Sequence, residues 1–467
     1  QLEQEVRLHK YKLAAAQAYA RSNQIDRIIA QGDHDTLGIV AAGKSYLDTR
    51  QALADLDLDE TDLMRLGVRL YKPALVWPLE TTSLMEFASG LDKIIVVEEK
   101  RGLIEDQIKE ILFNKQDRPA LIVGKKDETG ETLFPSTYQL TSEGIALALA
   151  KRIGELGDKE KLTSQAQLLR NRTTPSSDGA EILRTPYFCS GCPHNTSTRV
   201  PEGSRGLSGI GCHFMVQKMN RNTETYTHMG AEGVTWVGQA PFNGNQHVFV
   251  NIGDGTYYHS GFLAVRAAVA SGANMTYKVL YNDAVAMTGG QPVDGQISVA
   301  DMTFQFYGEG IRRISVVSDE PEKYSIGTSF APGTTVHHRD ELDLVQKELR
   351  EWVGVSTLIY DQTCASEKRR RRKRGTMIDP AKRAFINDAV CEGCGDCSTA
   401  SNCVSVEPLE TEFGRKRMIN QSTCNKDMSC VNGFCPSFVT INGGDLRRPT
   451  AEASASSSDP LVSNLPD

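Results

Sequence analysis

Short apolar runs alternate with amphipathic stretches along most of the chain. This alternation predicts buried strands joined by crossover helices, as in an α/β fold. In the first half, the predicted strands are residues 37–42, 68–76, 94–97 and 121–123. In the second half, they are residues 248–252, 278–281, 314–317 and 357–360, with a helix predicted over 257–270.

Polar and charged stretches divide this pattern into segments. A polar stretch at 163–179 has loop composition and predicts a domain boundary. An uninterrupted basic run at 368–374 predicts a solvated linker that packs against acidic residues or favours an anionic partner. The predicted segments are a helical connector from a preceding domain at 1–35, an α/β domain at 36–165, a second α/β domain at 180–365, the basic linker at 366–380, a cysteine-rich domain at 381–444 and a flexible Ser/Ala-rich linker at 445–467.

Composition narrows the possible functions. The 467 residues include 52 basic and 59 acidic side chains, for a net charge of −7. This balance argues against a nucleic-acid partner. No apolar run approaches the roughly 18 to 20 residues of a membrane span, and no signal peptide is present, so we expect no membrane partner. With the cysteine usage described below, we expect a cytoplasmic protein. The chain begins at Gln1 inside a helical pattern, so we expect a piece of a longer polypeptide.

A glycine-flanked carboxylate follows one predicted strand. Gly253, Asp254 and Gly255 come directly after residues 248–252, and Asn282 ends the next predicted strand. In such a βαβ unit, both polar side chains lie at the carboxyl ends of neighbouring strands, where open α/β sheets bind ligands. Their oxygens suit Mg²⁺, which usually shares its shell with phosphates. A strand-to-helix turn with a capping aspartate would give the same three residues.

The 11 cysteines are confined to the later part of the chain, since the first 188 residues contain none. Such clustering in a large chain predicts metal binding in a reducing compartment rather than a disulfide scaffold. Cys189 and Cys192 have a spacing that can present two thiolates to one metal, although zinc binding or a redox dithiol would fit as well. The evenly spaced Cys391, Cys394 and Cys397 can surround one cubane cluster, whereas a zinc ribbon leaves that spacing unexplained.

The Gly-Asp-Gly element with its later Asn resembles the thiamine diphosphate signature, and the Thr-Gly-Gly-Gln of residues 288–291 resembles the thiamine-binding domain of the 2-oxoacid:ferredoxin oxidoreductases. The resemblance implies that Asp254, Asn282 and the carbonyl of Ala284 hold Mg²⁺ to the diphosphate. His228 is the one catalytic candidate, and a hydrogen-bonded structural histidine is the alternative. The implied cofactor-binding residues are His228, Gly230, Gly253, Asp254, Gly255, Asn282, Ala284, Thr288 and Gln291.

The same resemblance implies two or three [4Fe-4S] clusters. The proximal cluster would be bound by Cys189, Cys192, Cys212 and Cys364, unless Cys364 is simply a buried thiol. The later segment resembles a two-cluster bacterial ferredoxin, in which crossed ligation gives Cys391, Cys394, Cys397 and Cys435 to one cluster. The other cluster is left with three cysteines, Cys403, Cys424 and Cys430. Asp427 stands where its fourth cysteine would be expected. Three alternatives stay open: a carboxylate ligand, a three-iron cluster, or a surface aspartate with no ligand role.

Taken together, the chain resembles the large subunits of the indolepyruvate:ferredoxin oxidoreductase family. The resemblance implies a transketolase C-terminal-like α/β domain, a thiamine diphosphate-binding α/β domain with a mostly parallel sheet, and a small ferredoxin-like α+β domain. It further implies oxidative decarboxylation of an arylpyruvate to the acyl-CoA, with coenzyme A and ferredoxin as partners in a homodimer or higher oligomer. The pyrimidine-binding domain and a small-subunit-like domain would be missing. Alternatives are an electron-transfer module with a vestigial thiamine site, an oxidoreductase for a branched-chain 2-oxoacid, and a non-oxidative thiamine decarboxylase.

Overall fold

The computed structural model describes residues 2–173, 185–244, 246–293, 295, 297–433 and 435–443. The chain divides into two compact units, Gln1–Ile182 and Leu183–Asp467. The predicted linker at 445–467 and residues 174–179 of the predicted boundary lie outside the described residues. Among the described helices, none is both long and apolar enough to cross a lipid bilayer.

The first unit is built on a five-stranded sheet. Its strands are β1 (Arg27–Ala30), β2 (Leu37–Ala41), β3 (Val68–Lys72), β4 (Lys93–Val97) and β5 (Leu121–Val123). Its helices are α1 (Leu2–Arg7), α2 (Leu13–Ser22), α3 (Gly43–Asp55), α4 (Glu60–Leu66), α5 (Thr81–Ala88), α6 (Leu103–Leu112), α7 (Ser142–Ile153) and α8 (Lys159–Thr173), with a π-helical segment, Leu8–Lys12, between α1 and α2. The strand order is β1-β3-β2-β4-β5, and only β1 runs antiparallel to its neighbour.

Helices pack on both faces of this sheet, which explains the unbroken apolar runs of its central strands. Along β2 and β4, successive side chains enter opposite faces. Ile39 and Ile95 belong to one core, whereas Val40 and Val96 belong to the other. The strands predicted in this part of the chain are confirmed, although β3 ends at Lys72, before residue 76.

Two predictions for the first unit are wrong. The stretch 1–35 is helical only as far as Ser22, and residues 27–30 form edge strand β1, where Ala30 is buried and the backbone pairs with β3. Residues 163–173 are helical rather than a loop, because Leu162 and Leu169 on α8 are buried against the core. Packing of apolar side chains overrides weak helix propensity in such a segment.

The second unit contains a larger sheet and a small cysteine-rich part. Its strands are β6 (Gly206–Leu207), β7 (Thr223–Glu224), β8 (Val248–Gly253), β9 (Met275–Tyr281), β10 (Ile314–Ser318), β11 (Thr335–His338), β12 (Val355–Asp361), β13 (Lys382–Ile386), β14 (Val406–Thr411), β15 (Gly414–Ile419) and β16 (Phe438–Asn442). Its α-helices are α9 (His194–Ser197), α10 (Val234–Gln239), α11 (Asp254–Thr256), α12 (Phe262–Ser271), α13 (Val299–Gly308), α14 (Leu342–Arg350), α15 (Ala365–Lys373) and α16 (Asp396–Ser401). Shorter helical segments of other types are Cys212–Lys218, Ala240–Phe242, Tyr257–Gly261, Pro321–Lys323, Arg339–Glu341 and Ser429–Val431.

Seven parallel strands form the larger sheet, in the order β11-β10-β12-β9-β8-β6-β7. Strands β12, β9 and β8 lie at its centre and are buried almost throughout. The predicted strands and the predicted helical stretch at 257–270 are confirmed, and so is a second α/β region with a parallel sheet. Its carboxyl ends hold the residues of the candidate site.

The predicted basic linker at 366–380 is wrong for most of its length. Residues 365–373 form helix α15, which starts directly after Cys364. Long basic side chains are good helix formers, and acidic neighbours balance their charge. Lys368 lies 2.6 Å from Asp319, and Arg371 lies 2.7 Å from Asp283. The run therefore packs against acidic residues, as expected, but as a helix.

Residues 381–443 form two antiparallel strand pairs, β13 with β16 and β14 with β15, together with α16. Their buried core consists of Ala384, Ile386, Cys391, Val406 and Ile419. Five more cysteine and methionine side chains, among others, pack against it. That the segment is ferredoxin-like remains a prediction.

Candidate functional site

A cavity of about 730 Å³ opens at the carboxyl ends of β8 and β9. Seven of the nine predicted cofactor-binding residues line it: Gly253, Asp254, Gly255, Asn282, Ala284, Thr288 and Gln291. The remaining two, His228 and Gly230, flank Met229, which also lines the cavity. His228 is exposed, with its Nδ1 3.3 Å from the hydroxyl of Thr227. The structure therefore brings most of the predicted site together around one cavity.

Asp254 joins the ends of the two strands. Its Oδ2 accepts hydrogen bonds from the backbone N–H groups of Asn282 and Asp283, both at 3.0 Å, and its Oδ1 accepts from the N–H of Gly255 at 2.8 Å. The side-chain oxygen of Asn282 accepts from the N–H of Ala284 at 3.2 Å. These bonds hold Asp254, Asn282 and the backbone of Ala284 together in the cavity lining.

The donor set of these three residues fits a magnesium ion shared with a diphosphate. Burial raises the pKa of Asp254 to about 6, even though three backbone amides donate to the carboxylate. A buried carboxylate whose partners are neutral amides favours a nearby cation. Mg²⁺ is commonly held by one or two carboxylates while phosphates and water complete its shell. Within the described ranges, no three His, Cys, Asp or Glu side chains are placed to bind a single metal ion among themselves.

The Thr-Gly-Gly-Gln residues form a closed turn in the cavity wall. The Thr288 hydroxyl donates to Oε1 of Gln291 at 2.8 Å, and Nε2 of Gln291 donates to the Thr288 carbonyl at 2.8 Å. Gly290 has a φ of +81°, and a side chain there would collide with Glu367 and Arg370 on α15. The turn and the basic helix are therefore in direct contact.

Sequence reasoning missed a buried acid that holds two loops next to the cavity. Glu232 is fully buried, and its carboxylate accepts from the N–H of Gly230 at 2.8 Å and from that of Ile210 at 3.4 Å. Gly230 has a φ of +93°, and a Cβ there would collide with Ser260. Glu232 therefore ties the predicted His-Met-Gly element to the loop that carries Cys212. Its position two residues after Gly230 was the available signal.

Tyr258 and His259 were missed as well, and both line the cavity. They follow the Gly-Asp-Gly element within a π-helical segment, Tyr257–Gly261. Because the helical segment continues directly from the strand-to-helix turn, both residues line the same cavity as Asp254. Their proximity to the motif in the sequence could have indicated them.

The four cysteines predicted for a proximal cluster lie near one another. Burial, with contributions from Cys189, Cys364 and Cys212, raises the pKa of Cys192 well above the usual thiol range. Burial and the thiols of Cys364 and Cys189 raise the pKa of Cys212 to about 11. Crowded thiolates favour a cationic metal centre that removes their protons. Cys212 also lines the cavity at the ends of β8 and β9, and the N–H of Cys364 donates to the Asn282 carbonyl at 3.0 Å.

A second group of thiols surrounds a separate cavity of about 520 Å³ in residues 381–443. The cysteines that line it are Cys391, Cys394, Cys397, Cys430 and Cys435. Four of these are the predicted ligands of one cluster. Burial, with smaller effects of Cys391 and Cys394, raises the pKa of Cys397. All 11 cysteines are described and are free thiols.

The third group has the predicted three thiols and one acid. Burial raises the pKa of Cys430 to about 12, and Cys424, Cys403 and Asp427 add to this. Burial, Cys403 and Asp427 also raise the pKa of Cys424. The structure thus brings Cys403, Cys424, Cys430 and Asp427 into one neighbourhood.

Two family models match the chain. Residues 27–175 match the indolepyruvate oxidoreductase domain, and residues 209–349 match the C-terminal TPP binding domain of thiamine pyrophosphate enzymes. The second match contains Asp254 and Asn282 of the cavity. The chain therefore contains a thiamine pyrophosphate enzyme domain.

Curated relatives support the same relationship over more of the chain. The indolepyruvate oxidoreductase subunit IorA of Thermococcus kodakarensis is 27% identical over 80% of this chain and 56% of its own length. That of Archaeoglobus fulgidus is 28% identical over 91% of this chain and 62% of its own. A solved 2-oxoglutarate:ferredoxin oxidoreductase from Magnetococcus marinus matches with a TM-score of 0.31 and 15% identity over 41% of this chain and 72% of its own. The chain is similar to these IorA subunits over most of its own length and spans less than two thirds of theirs.

Proposed function

We propose that this chain binds thiamine diphosphate and Mg²⁺ in the cavity at the ends of β8 and β9, and that it acts within an indolepyruvate:ferredoxin oxidoreductase. The overall reaction would convert an arylpyruvate, coenzyme A and two oxidised ferredoxins into the acyl-CoA, CO₂, a proton and two reduced ferredoxins. The relatives are named as subunits, so a partner subunit is part of this proposal.

One observation carries the proposal. The cavity that contains Asp254 and Asn282 also has Cys212 in its wall, and Cys212 lies near the other three thiols of the predicted proximal cluster. A non-oxidative decarboxylase has no use for such thiols beside its cofactor. An enzyme that passes electrons from the cofactor to a cluster needs this proximity.

The residues of the chain have distinct roles in this proposal. Asp254, Asn282 and the Ala284 carbonyl would hold Mg²⁺ against the diphosphate. When bound, thiamine diphosphate supplies the carbanion that attacks the 2-oxoacid and the electron sink for decarboxylation. Glu232 keeps the loops at Ile210 and Gly230 in place around the cavity. His228 would be a polar contact at the cavity edge.

The placement of the thiol groups supports one order of electron transfer in this proposal. The proximal group adjoins the cavity, and its Cys189–Cys192 loop touches the third group: Asn425 donates to the Ser190 carbonyl at 2.9 Å, and Ser405 donates to the Ser190 hydroxyl at 2.6 Å. The remaining group includes two exposed thiols, Cys394 and Cys435, whereas the proximal group has one, Cys189. Electrons would therefore leave toward ferredoxin at that exposed group.

The cofactor assignment is tested by anaerobic purification followed by assays of iron, sulfide and thiamine diphosphate. We expect all three in the wild-type chain, and Mg²⁺-dependent rebinding of thiamine diphosphate. Asp254→Ala should weaken that rebinding by at least about tenfold and leave the iron content unchanged, since loss of a group that positions a metal typically has an effect of this size. The matched control is Asp343→Ala, an exposed aspartate on α14.

The outcomes separate the alternatives. Iron and sulfide without thiamine binding would favour an electron-transfer module with a vestigial site. A colourless, iron-free chain would contradict the oxidoreductase. The substrate is tested with the complete enzyme, by ferredoxin reduction with indolepyruvate and with a branched-chain 2-oxoacid. We expect the higher kcat/KM with indolepyruvate.

A further inference from the structure

Asp427 stands where the second cysteine run lacks a ligand, and its carboxylate is already occupied by protein groups. Arg339 Nη1 donates to Asp427 Oδ1 at 2.5 Å, and Arg339 Nη2 donates to the Asp427 backbone carbonyl at 2.6 Å. Nε2 of Gln362 donates to the same Oδ1 at 2.8 Å. The Ser429 hydroxyl donates to Oδ2. Both carboxylate oxygens therefore have donors.

Two of the three residues that hold Asp427 come from the parallel sheet, and Ser429 alone comes from the cysteine-rich segment. Arg339 directly follows β11, and Gln362 directly follows β12. The Gln362 side chain is itself fixed, because the buried Tyr360 hydroxyl donates to its Oε1 at 2.9 Å. Asp427 is thus held by two rigid strand ends.

Moving Asp427 onto an iron atom would require breaking a nearly buried ion pair. The side chains of Arg339 and Asp427 are 11% and 10% exposed. A charge left without its partner in such surroundings is strongly unfavourable. The geometry therefore argues against Asp427 as an iron ligand. A metal site with three protein ligands and no fourth fits the contacts of Asp427 better.

We propose that Cys403, Cys424 and Cys430 hold a [3Fe-4S] cluster, and that Asp427 is a positioning residue that keeps the parallel sheet and this cluster site together. This inference rests on the iron-sulfur part of the proposed function. Three thiolates match the three irons of such a cluster, which needs no fourth protein ligand. The other two thiol groups have four cysteines each and retain [4Fe-4S] clusters.

The position of Asp427 agrees with a positioning role. A side chain at Gly191 would come within 2.9 Å of the Asp427 Cβ and 3.2 Å of the Asn425 Cβ. Gly191 lies between two of the proximal thiols, Cys189 and Cys192. The Asp427 backbone therefore lies against the proximal loop, and the ion pair with Arg339 holds the two metal sites at a constant separation.

The test uses the chain reconstituted anaerobically with iron and sulfide, then oxidised and measured by EPR. We expect the signal of one oxidised three-iron cluster per chain in the wild type. Asp427→Asn keeps an acceptor for Arg339 and Gln362, so the signal should keep its intensity. Asp427→Cys supplies a fourth thiolate, so the three-iron signal should be lost and the iron content should rise. Asp388→Asn, an exposed aspartate of the same segment, is the matched control and should be indistinguishable from the wild type.

Other outcomes would overturn the inference. Four-iron clusters only in the wild type, with a three-iron signal appearing in Asp427→Asn, would show that Asp427 is a ligand. A three-iron signal that persists at full intensity in Asp427→Cys would place that cluster elsewhere. Either result would leave the proposed function intact, whereas a chain without iron and sulfide would overturn both.

Discussion

Lys278 belongs to β9 in the parallel sheet, and its ammonium group is buried. The residue is fully buried, and its Nζ donates to the Arg199 carbonyl at 2.8 Å. Burial, with a smaller effect of Arg221, lowers the pKa of Lys278 to about 7. An unperturbed lysine titrates near pH 10.4, so the folded chain releases this proton at a lower pH than the unfolded chain does.

This shift predicts a pH-dependent stability. Between about pH 7 and pH 10, the unfolded state binds more protons at this site, so the free energy of unfolding of the second unit rises with pH by at most about 1.4 kcal/mol per unit. Lys278→Met removes that contribution. The stability of the variant relative to the wild type should therefore fall as the pH increases from 7 to 9.

Urea unfolding at several pH values measures this difference. Loss of the hydrogen bond to Arg199 shifts the whole curve by a constant and does not change its slope. Lys347→Met, on the exposed face of α14, is the control and should show no such trend. Parallel stability curves for Lys278→Met and the wild type would contradict the buried titration.

Helix α15 links the thiamine cavity to the proximal thiols. It begins after Cys364, whose N–H is bonded to the Asn282 carbonyl, and its Glu367 and Arg370 lie against Gly290. Arg371 pairs with Asp283 at 2.7 Å. The helix therefore supports both the strand end that carries Asn282 and the Thr-Gly-Gly-Gln turn.

This packing predicts different effects of two glycine substitutions. Gly290→Ala and Gly272→Ala both place a side chain at positive φ, at +81° and +68°, and each should lose about 1–2 kcal/mol of stability. Nothing lies within 4 Å of a Cβ at Gly272, whereas at Gly290 the new methyl group displaces Glu367 and Arg370. Only Gly290→Ala should weaken thiamine diphosphate binding, by several-fold in a titration. Equal affinities for both variants would show that α15 does not support the turn.

The second unit combines the parallel sheet with a small segment that has little core of its own. Five cysteines, Cys391, Cys397, Cys403, Cys424 and Cys430, belong to that core or pack on it. Segments of this size usually need a metal or another crosslink to stay folded. The clusters would therefore be structural elements of residues 381–443 as well as electron carriers.

Removal of the clusters should accordingly unfold this segment first. Anaerobic chelation is expected to expose residues 381–443 to proteases and to hydrogen exchange, while residues 27–173 keep their protection. Removal of Mg²⁺ and thiamine diphosphate alone is the control and should leave the segment protected. If residues 381–443 remain equally protected without iron, packing of the thiols alone is sufficient to keep the segment folded.

Much of the fold and most of the cavity follow from local features of the chain. The apolar runs predicted the central strands, because strands buried on both faces need continuous apolar residues. The spacing of Gly-Asp-Gly and Asn282 predicted that their side chains meet, because adjacent parallel strands end at the same edge. The family resemblance implied three groups of thiols, and the structure brings members of each group near one another, although Cys430 also lines the cavity of the second group. That these groups hold clusters remains a prediction.

Other features depend on segments that are distant in the chain. Edge strand β1 and the helices at 159–173 and 365–373 have no distinctive local signal, because each depends on what packs against it. The burial of Glu232 also depends on distant contacts, although its place two residues after Gly230 could have indicated it. Asp427 shows this most clearly: its spacing among cysteines left a ligand role, an open metal corner and a surface aspartate all possible, and the structure pairs it with Arg339, 88 residues away. Spacing along the sequence determined which groups a turn or strand end presents, whereas long-range packing decided which partner each group binds.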